Sequence, residues 1–280
     1  MVTKKFLSAA SIVFALALLT STTNAGNSWG TYHWARQADS FDLTVVNSTT
    51  GDWALYYVPQ ALSDWSASSK LNMVEDPNGS TSKKVRRQCK GPSGQVRICN
   101  LAYGQTGWLG VAGISIDANN HITKGYTKLN DTYFSMDFYN NPSWKQSVTC
   151  QELGHNVGLH HQDVDFNNQS LYSCMDYQNP PFAQPNDHDY AQLDTIYAHD
   201  NDGYDSYSSG GGDPGGGDPD GGGGCNAPPG KGCNKSGIGG NNGDIGWGMS
   251  LGRRGQLETF IRIDPDGIRH ITHVIWAIGY

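Results

Sequence analysis

The sequence has little positive charge, with 19 lysines and arginines against 26 aspartates and glutamates in 280 residues and a net charge of −7. Nucleic-acid binding needs a basic face or stripe, so we expect no nucleic-acid partner. The short basic cluster at residues 83–87 fits a solvated loop better than a binding patch. Long apolar runs are also scarce, since the one at residues 6–19 is shorter than the roughly 20 residues that a membrane-spanning helix needs.

The N-terminal segment has the pattern of a secretory signal peptide. Lys4 and Lys5 precede the apolar run, and the small residues Thr23, Asn24 and Ala25 follow it. We therefore expect segment 1–25 to be removed, leaving a secreted, extracellular protein with no membrane partner. Loss of the two lysines changes the net charge from −7 to −9.

The six cysteines are even in number, and an exported chain meets an oxidising compartment, so we expect disulfide bonds. Six cysteines allow many pairings, and the sequence does not prove one of them. Proximity along the chain suggests the pairs Cys89–Cys99, Cys150–Cys174 and Cys225–Cys233.

The composition changes sharply near residue 203, where a segment of mostly Gly, Asp, Ser and Pro begins. Such a segment cannot bury enough apolar surface to offset its ordering entropy, so we expect a linker over residues 203–232. The linker separates a main domain at residues 26–202 from a small C-terminal β unit at residues 233–280. The β unit is too short for a large core of its own, so it either packs on the main domain or acts as an appended recognition module.

The local sequence patterns predict an α+β fold. Strand-like composition occurs at residues 41–46, 53–58, 108–117, 121–129, 259–263 and 269–276. Helices are predicted at residues 58–67, from about Trp144 to Asn156, and at residues 189–199. Ser143 and Gln146 match a capping box at the start of the second of these helices.

The most specific chemical signal is Gln151-Glu152-x-x-His155-x-x-Gly158-x-x-His161. Positions 151 and 155 share one face of a helix, and the glutamate beside them can act as a general base at a metal. Gly158 permits the turn that ends the helix and brings His161 back as a further ligand. The complete zinc-peptidase signature has histidine where this chain has Gln151. The pattern therefore predicts a zinc site that lacks one imidazole.

A second signal follows at Ser173-Cys174-Met175-Asp176-Tyr177. A methionine turn after an extended zinc motif is the second hallmark of the metzincins. The two elements together resemble the metzincin clan of zinc metallopeptidases, closely over residues 144–177 and in overall layout over residues 26–199. The chain also resembles a group of secreted microbial proteins related to matrixins, in which glutamine is common at the first ligand position.

The resemblance implies a metzincin-like fold, with a twisted mixed sheet, an active-site helix and a Met turn. It also implies that an edge strand before the helix aligns peptide substrates by strand addition. The roles that it implies are Glu152 as general base, Gln151, His155 and His161 as zinc ligands, Gly158 at the turn, Met175 as the floor under the metal, and Tyr177 as a zinc ligand or as a donor to the oxyanion. A disulfide between Cys150 and Cys174 would join the helix to the Met turn and stabilise the domain by about 3 kcal/mol.

Three outcomes are open for Gln151. In the first, its amide oxygen binds the metal, although it is a poorer zinc ligand than imidazole. In the second, Tyr177, His160 or a water takes the vacant coordination position. In the third, the site holds no metal. His160 also competes with His161, although the motif spacing favours His161. Tyr177 has a purely structural alternative as a buried residue with a satisfied hydroxyl, and Met175 has one as ordinary core.

A weaker signal concerns calcium. Asp163, Asp165 and Asn167 begin like a calcium loop, but Asn168 and Cys174 replace the turn glycine and the closing glutamate. Ca2+ is therefore a weaker cofactor candidate than Zn2+.

These features together favour a secreted, monomeric zinc endopeptidase that acts on protein or peptide substrates through metal-activated water. The alternative is a catalytically impaired protein of the metzincin fold that acts as a secreted binding module.

Overall fold

The computed structural model describes residues 27–36, 38–199 and 246–279. The predicted signal segment 1–25, the predicted linker 203–232 and the predicted Cys225–Cys233 pair lie outside these residues. The described chain has a mixed α+β architecture, with a large mixed sheet and few helices. Within these ranges, no helix has the length and apolar character needed to cross a membrane.

Nine strands of the described chain form one sheet. They are β1 His33–Trp34, β2 Phe41–Asn47, β3 Leu71–Asp76, β4 Val96–Leu101, β5 Trp108–Ile116, β6 His121–Asn130, β7 Met249–Arg254, β8 Leu257–Ile263 and β9 Arg269–Trp276. Their order is β3-β2-β4-β6-β5-β9-β8-β7, and β1 pairs with the start of β6. The strands β3, β2, β4 and β6 run parallel, whereas β5, β9, β8 and β7 each pair antiparallel with their neighbours.

The helices are α1 Val58–Trp65, α2 Lys83–Gln88, α3 Asp131–Phe134, α4 Pro142–His155 and α5 Asp187–Ile196, with a short π-helix at Trp53–Tyr57. The predicted strand at residues 53–58 is wrong, because this aromatic segment forms the π-helix and continues into α1. The buried Trp53 ring packs on Phe134, and its Nε1 donates to Asp131, so tertiary contacts override the strand-like composition. The predicted loop at residues 83–87 is also wrong, since these residues form α2.

Helix α4 lies between α1 and the strands β5 and β6, and nearly all of it is buried. It begins after Asn141, whose side-chain oxygen accepts a hydrogen bond from the Trp144 amide at 3.1 Å. The predicted capping pair is therefore wrong: Asn141 and not Ser143 is the cap, and the Gln146 side chain donates to the Tyr57 carbonyl instead. The predicted end near residue 156 agrees with the structure.

Two of the predicted disulfides are formed. Cys89–Cys99 links the end of α2 to β4, and Cys150–Cys174 links α4 to the segment that contains Met175. The Cys150 carbonyl also accepts a hydrogen bond from the buried Trp65 indole at 2.9 Å. Helix α4 is therefore fixed on two sides.

The strands β7, β8 and β9, which we call the tail strands, extend the same sheet. The predicted hairpin agrees with β8 and β9, and β9 pairs along the whole of β5, from Trp108 opposite Trp276 to Ile116 opposite Arg269. The strand β5 is therefore not a free edge. A substrate strand cannot add to β5 in this conformation, because β9 already pairs with that edge.

Candidate metal centre

The motif residues of α4 point into the interior. Gln151 is 3% exposed, and Glu152 and His155 have no exposed surface. Residues four apart lie on the same side of a helix, so Gln151 and His155 share a face while Glu152 is offset toward β5. Helix α4 thus brings an amide, a carboxylate and an imidazole into one buried region.

Gly158 ends this segment with a left-handed backbone conformation, φ +93°. A Cβ at this position would lie 2.3 Å from the Tyr32 carbonyl oxygen, so the chain crosses too closely for any side chain. The turn returns the backbone toward α4, and His161 follows it with 5% exposure. The predicted role of Gly158 at the turn thus has a direct physical cause in this chain.

Replacing Gly158 with alanine should destabilise the domain by at least about 3 kcal/mol, because the left-handed strain and the overpacking against Tyr32 add together. Gly94→Ala is a matched control, since Gly94 has φ +72° but open space around it. This control should lose only about 1 kcal/mol. Chemical unfolding monitored by tryptophan fluorescence measures both, and equal losses would contradict the close crossing at Gly158.

Gln151, His155 and His161 form one chain of polar contacts. The His155 Nδ1 lies 2.8 Å from the Leu159 carbonyl and donates its hydrogen there, so the His155 Nε2 keeps a lone pair. That Nε2 is 3.0 Å from the Nε2 of His161. The other nitrogen of His161, Nδ1, is 3.1 Å from the side-chain nitrogen of Gln151. The sequence-predicted ligand residues therefore meet, and Gln151 contacts the ring nitrogen of His161 that is not turned toward His155.

The predicted methionine turn lies beneath α4. Met175 is fully buried, and its Sδ packs so closely on Gly154 that a Cβ there would be 2.7 Å away. The Met175 carbonyl accepts a hydrogen bond from the Gln162 amide at 2.7 Å, which joins the turn to the residue after His161. The helix, the return segment and the methionine turn are thus one packed unit.

Asp189 of α5 fixes this unit from outside, a role that the sequence did not suggest. Its fully buried carboxylate accepts hydrogen bonds from the Gln162 side chain at 2.7 Å and from the Ser173 hydroxyl. It also completes the capping box of α5 with Asn186.

Glu152 and Tyr177 carry polar atoms that are buried without a hydrogen-bond partner, namely both carboxylate oxygens and the hydroxyl. Burial raises the pKa of Glu152 well above its usual value, and burial followed by the charge of Glu152 raises the pKa of Tyr177. Among the described residues the Tyr177 hydroxyl has no hydrogen-bond partner, and the purely structural alternative would require one. Leaving such groups unpaired costs about 1–3 kcal/mol each, which makes both residues candidates for a functional role.

Four histidines surround this region, and burial disfavours the charged form of each. Burial lowers the pKa of His155 to about 3 and lowers the pKa values of His160, His161 and His273 as well. Neighbouring histidine charges add to the effect at His161 and His273. Neutral imidazole is the form that binds metal ions.

His273 was not among the predicted site residues. It lies on β9, has no exposed surface, and its ring stacks on Trp29 at a centroid distance of 3.7 Å. Its ring centroid is 4.4 Å from that of His155 and 6.4 Å from that of His161. The tail strands therefore contribute an imidazole to the region that α4 and the methionine turn enclose.

The predicted calcium loop is held together by its own hydrogen bonds. Asp163 accepts from the Asp165 amide at 2.9 Å, and Asp165 accepts from the Asn167 amide at 2.9 Å. Across the described part of the chain, no three or more His, Cys, Asp or Glu side chains are grouped so that they already converge on a metal position. The three ligand positions of the motif supply only two such side chains, His155 and His161, because the third is the amide of Gln151.

Comparison with known proteins adds little. No protein-family model matches the chain, and no curated protein matches it. Among solved structures, the chain is similar to "Structure of myroilysin", with 12% sequence identity over 62% of this chain and 98% of that chain and a TM-score of 0.35. A likeness this weak has no bearing on what this chain does.

Proposed function

We propose that the protein is a secreted zinc-dependent endopeptidase in which His155 and His161 hold the metal and Glu152 is the general base. The observation that carries this proposal is the pair of Nε2 atoms of His155 and His161, 3.0 Å apart on two buried side chains, in the same buried region as the unpartnered Glu152 carboxylate. The proposal also rests on the motif and the methionine turn.

The residues present fit zinc. Two imidazole nitrogens on one tetrahedral zinc lie about 3.3 Å apart, given zinc–nitrogen distances of about 2.0–2.1 Å, and the two Nε2 atoms are close to that separation. The Leu159 carbonyl fixes the His155 tautomer with its lone pair on Nε2, as outer hydrogen bonds to ligand histidines commonly do. The place of Gln151 in the ligand set stays a prediction of the motif. When bound, zinc polarises the peptide carbonyl and lowers the pKa of a water.

Glu152 accepts and then donates the proton in this reaction. Its carboxylate is buried without a partner, so it is free to take the proton of the attacking water and to pass it to the departing amine. Its raised pKa makes it a stronger base than an exposed glutamate. The Tyr177 hydroxyl, also unpartnered, can donate to the oxygen on which negative charge develops.

Access to this chemistry requires movement. Trp29 stacks on His273, and β9 pairs along the edge of β5 that β6 does not occupy. Since Glu152, His155 and Tyr177 are almost fully buried, a peptide reaches them only after one of these covering segments has shifted. This enclosure is also the observation that favours the alternative, a metzincin-like protein that binds partners without cleaving them.

The test uses the secreted full chain and a peptide library. We expect about one zinc per chain by elemental analysis, cleavage of library peptides, loss of cleavage with a chelator, and recovery when zinc is added. A folded protein that takes up no zinc would overturn the proposal. A zinc-loaded protein that cleaves no peptide would instead support the binding module.

The close approach of Gly110 to Glu152 gives a further prediction. A Cβ at Gly110 would be 2.4 Å from the Glu152 Oε1 and 2.7 Å from Val148, so Gly110→Ala should displace the carboxylate. We expect cleavage to fall about 100-fold with zinc content unchanged, because a misplacement of about 1 Å can have that effect.

Gly113→Ala is the matched control for this substitution. It lies on the same strand and overpacks against the Tyr126 ring at 2.2 Å, away from Glu152. It should lower the midpoint of thermal unfolding, as overpacking does at a cost of about 1–3 kcal/mol, while the folded fraction retains its turnover. Equal loss of turnover in the two variants would show that Gly110 acts only through stability.

A further inference from the structure

His273 is placed on the side of the sheet that faces α4. In the β5–β9 pairing it stands opposite Ala112, two residues from Gly110. Alternate residues of a strand share a face, and Gly110 faces Glu152 of α4, so Ala112 and its partner His273 face α4 as well. His270 stands opposite Ser115, on the other face.

The ring of His273 is held in place by two contacts, and one of its nitrogens has no hydrogen-bond partner. Its Nδ1 contacts the Thr259 hydroxyl of β8 at 2.8 Å, and its ring stacks on Trp29. Its Nε2 is buried and has no hydrogen-bond partner. An imidazole held by an outer hydroxyl, with its second nitrogen buried and unpartnered, is the arrangement of a metal ligand.

The distances place His273 next to the histidine pair. Two imidazole rings on one tetrahedral zinc have centroids about 5 Å apart, given the usual zinc–nitrogen distance. The His155–His161 and His155–His273 separations are 4.7 and 4.4 Å, whereas His161–His273 is 6.4 Å. The three rings therefore do not converge on one point in this conformation. If the rings of His161 and His273 approached each other by roughly 1 Å, all three separations would be close to those expected around one zinc ion.

The Gln151 side chain contacts His161. Its amide contacts the Nδ1 of His161, the ring nitrogen that does not face His155. The contacting atom is the amide nitrogen, which donates to Nδ1 and leaves the hydrogen of His161 on Nε2. A half-turn of the amide places its oxygen there instead, so that the Nδ1–H donates to Gln151 and the His161 Nε2 is free to bind the metal. We propose that His273 supplies the third imidazole of the metal centre, in place of the histidine that position 151 lacks. This inference rests on the proposed function, because it concerns the same zinc.

The experiment is a zinc titration of the full chain against a chromophoric chelator, with affinity as the readout and no substrate present. His273→Phe removes both nitrogens but keeps a ring on Trp29, so it should fold. We expect its zinc affinity to fall at least about tenfold, since even an outer partner of a ligand contributes 10- to 100-fold. His270→Phe, on the same strand and the opposite face, should bind zinc like the unaltered chain.

A second substitution separates a ligand from a structural role. Gln151→His in the His273→Phe background restores an imidazole at the motif position and should recover most of the lost affinity. Equal affinity of His273→Phe and the unaltered chain would overturn the inference and leave the proposed function standing. A loss that Gln151→His does not reverse would also overturn it. If the unaltered chain binds no zinc, the proposed function itself fails.

Discussion

The substitution Glu152→Gln should reduce peptide cleavage by at least about 1,000-fold, within the range that a positioned general base contributes. The amide has nearly the same shape, so it keeps the packing against Gly110 but cannot take a proton. Zinc content should not change, because Glu152 is not among the proposed ligands. The midpoint of thermal unfolding should stay the same or rise, since an unpartnered buried carboxylate is replaced by a neutral group.

A remote carboxylate provides the control. Glu75→Gln on β3 changes a side chain that accepts a hydrogen bond from Asn47 at 2.8 Å, far along the sheet from α4. It should cleave like the unaltered protein. The measurement is kcat/KM on one peptide chosen from the library, with zinc content determined on the same samples. Retained cleavage by Glu152→Gln would remove its assigned role.

The adjacent histidines should differ sharply when each is replaced by alanine. His161→Ala should weaken zinc binding at least about 100-fold, because its Nε2 faces the Nε2 of His155 and ligands contribute more than their outer partners do. His160→Ala should bind zinc almost like the unaltered chain. The His160 Nδ1 already accepts a hydrogen bond from the His161 amide at 2.8 Å, and the His160 ring is partly exposed.

The zinc titration that measures this difference needs a check on folding. His160 anchors its segment through its backbone, by amide donation to the Asn27 carbonyl at 2.6 Å, which an alanine retains. Both variants should therefore give the far-ultraviolet circular dichroism of the unaltered chain. If His160→Ala lost zinc and His161→Ala kept it, the motif spacing would assign the wrong histidine.

The site helix and the turn after it were predictable because their determinants are local. The spacing of Gln151, His155 and His161 fixes which face each occupies, and Gly158 marks the place where a side chain cannot fit. The start of α4 was predicted within two residues, but its cap was wrong, because Asn141 and Ser143 both carry capping side chains and only the backbone geometry selects between them.

The arrangement around the helix was not predictable, because it depends on pairings between distant residues. The contact of β5 with β9 joins Trp108 to Trp276, and no local pattern specifies which edge a hairpin selects. The sequence does contain one indication that His273 faces the interior. It alternates with Ile271 and Ile275, whose side chains are buried. A histidine at an inward position of such a strand requires a polar partner.

The position of β9 in the chain has a consequence for biosynthesis. His273 follows His161 by 112 residues, so the imidazole from β9 leaves the ribosome on the order of 10 s later at typical elongation rates of about 5–20 residues per second. Until β9 has been synthesised, the edge of β5 to which it pairs has no partner strand, so the wall that His273 contributes is added last among the parts of the site.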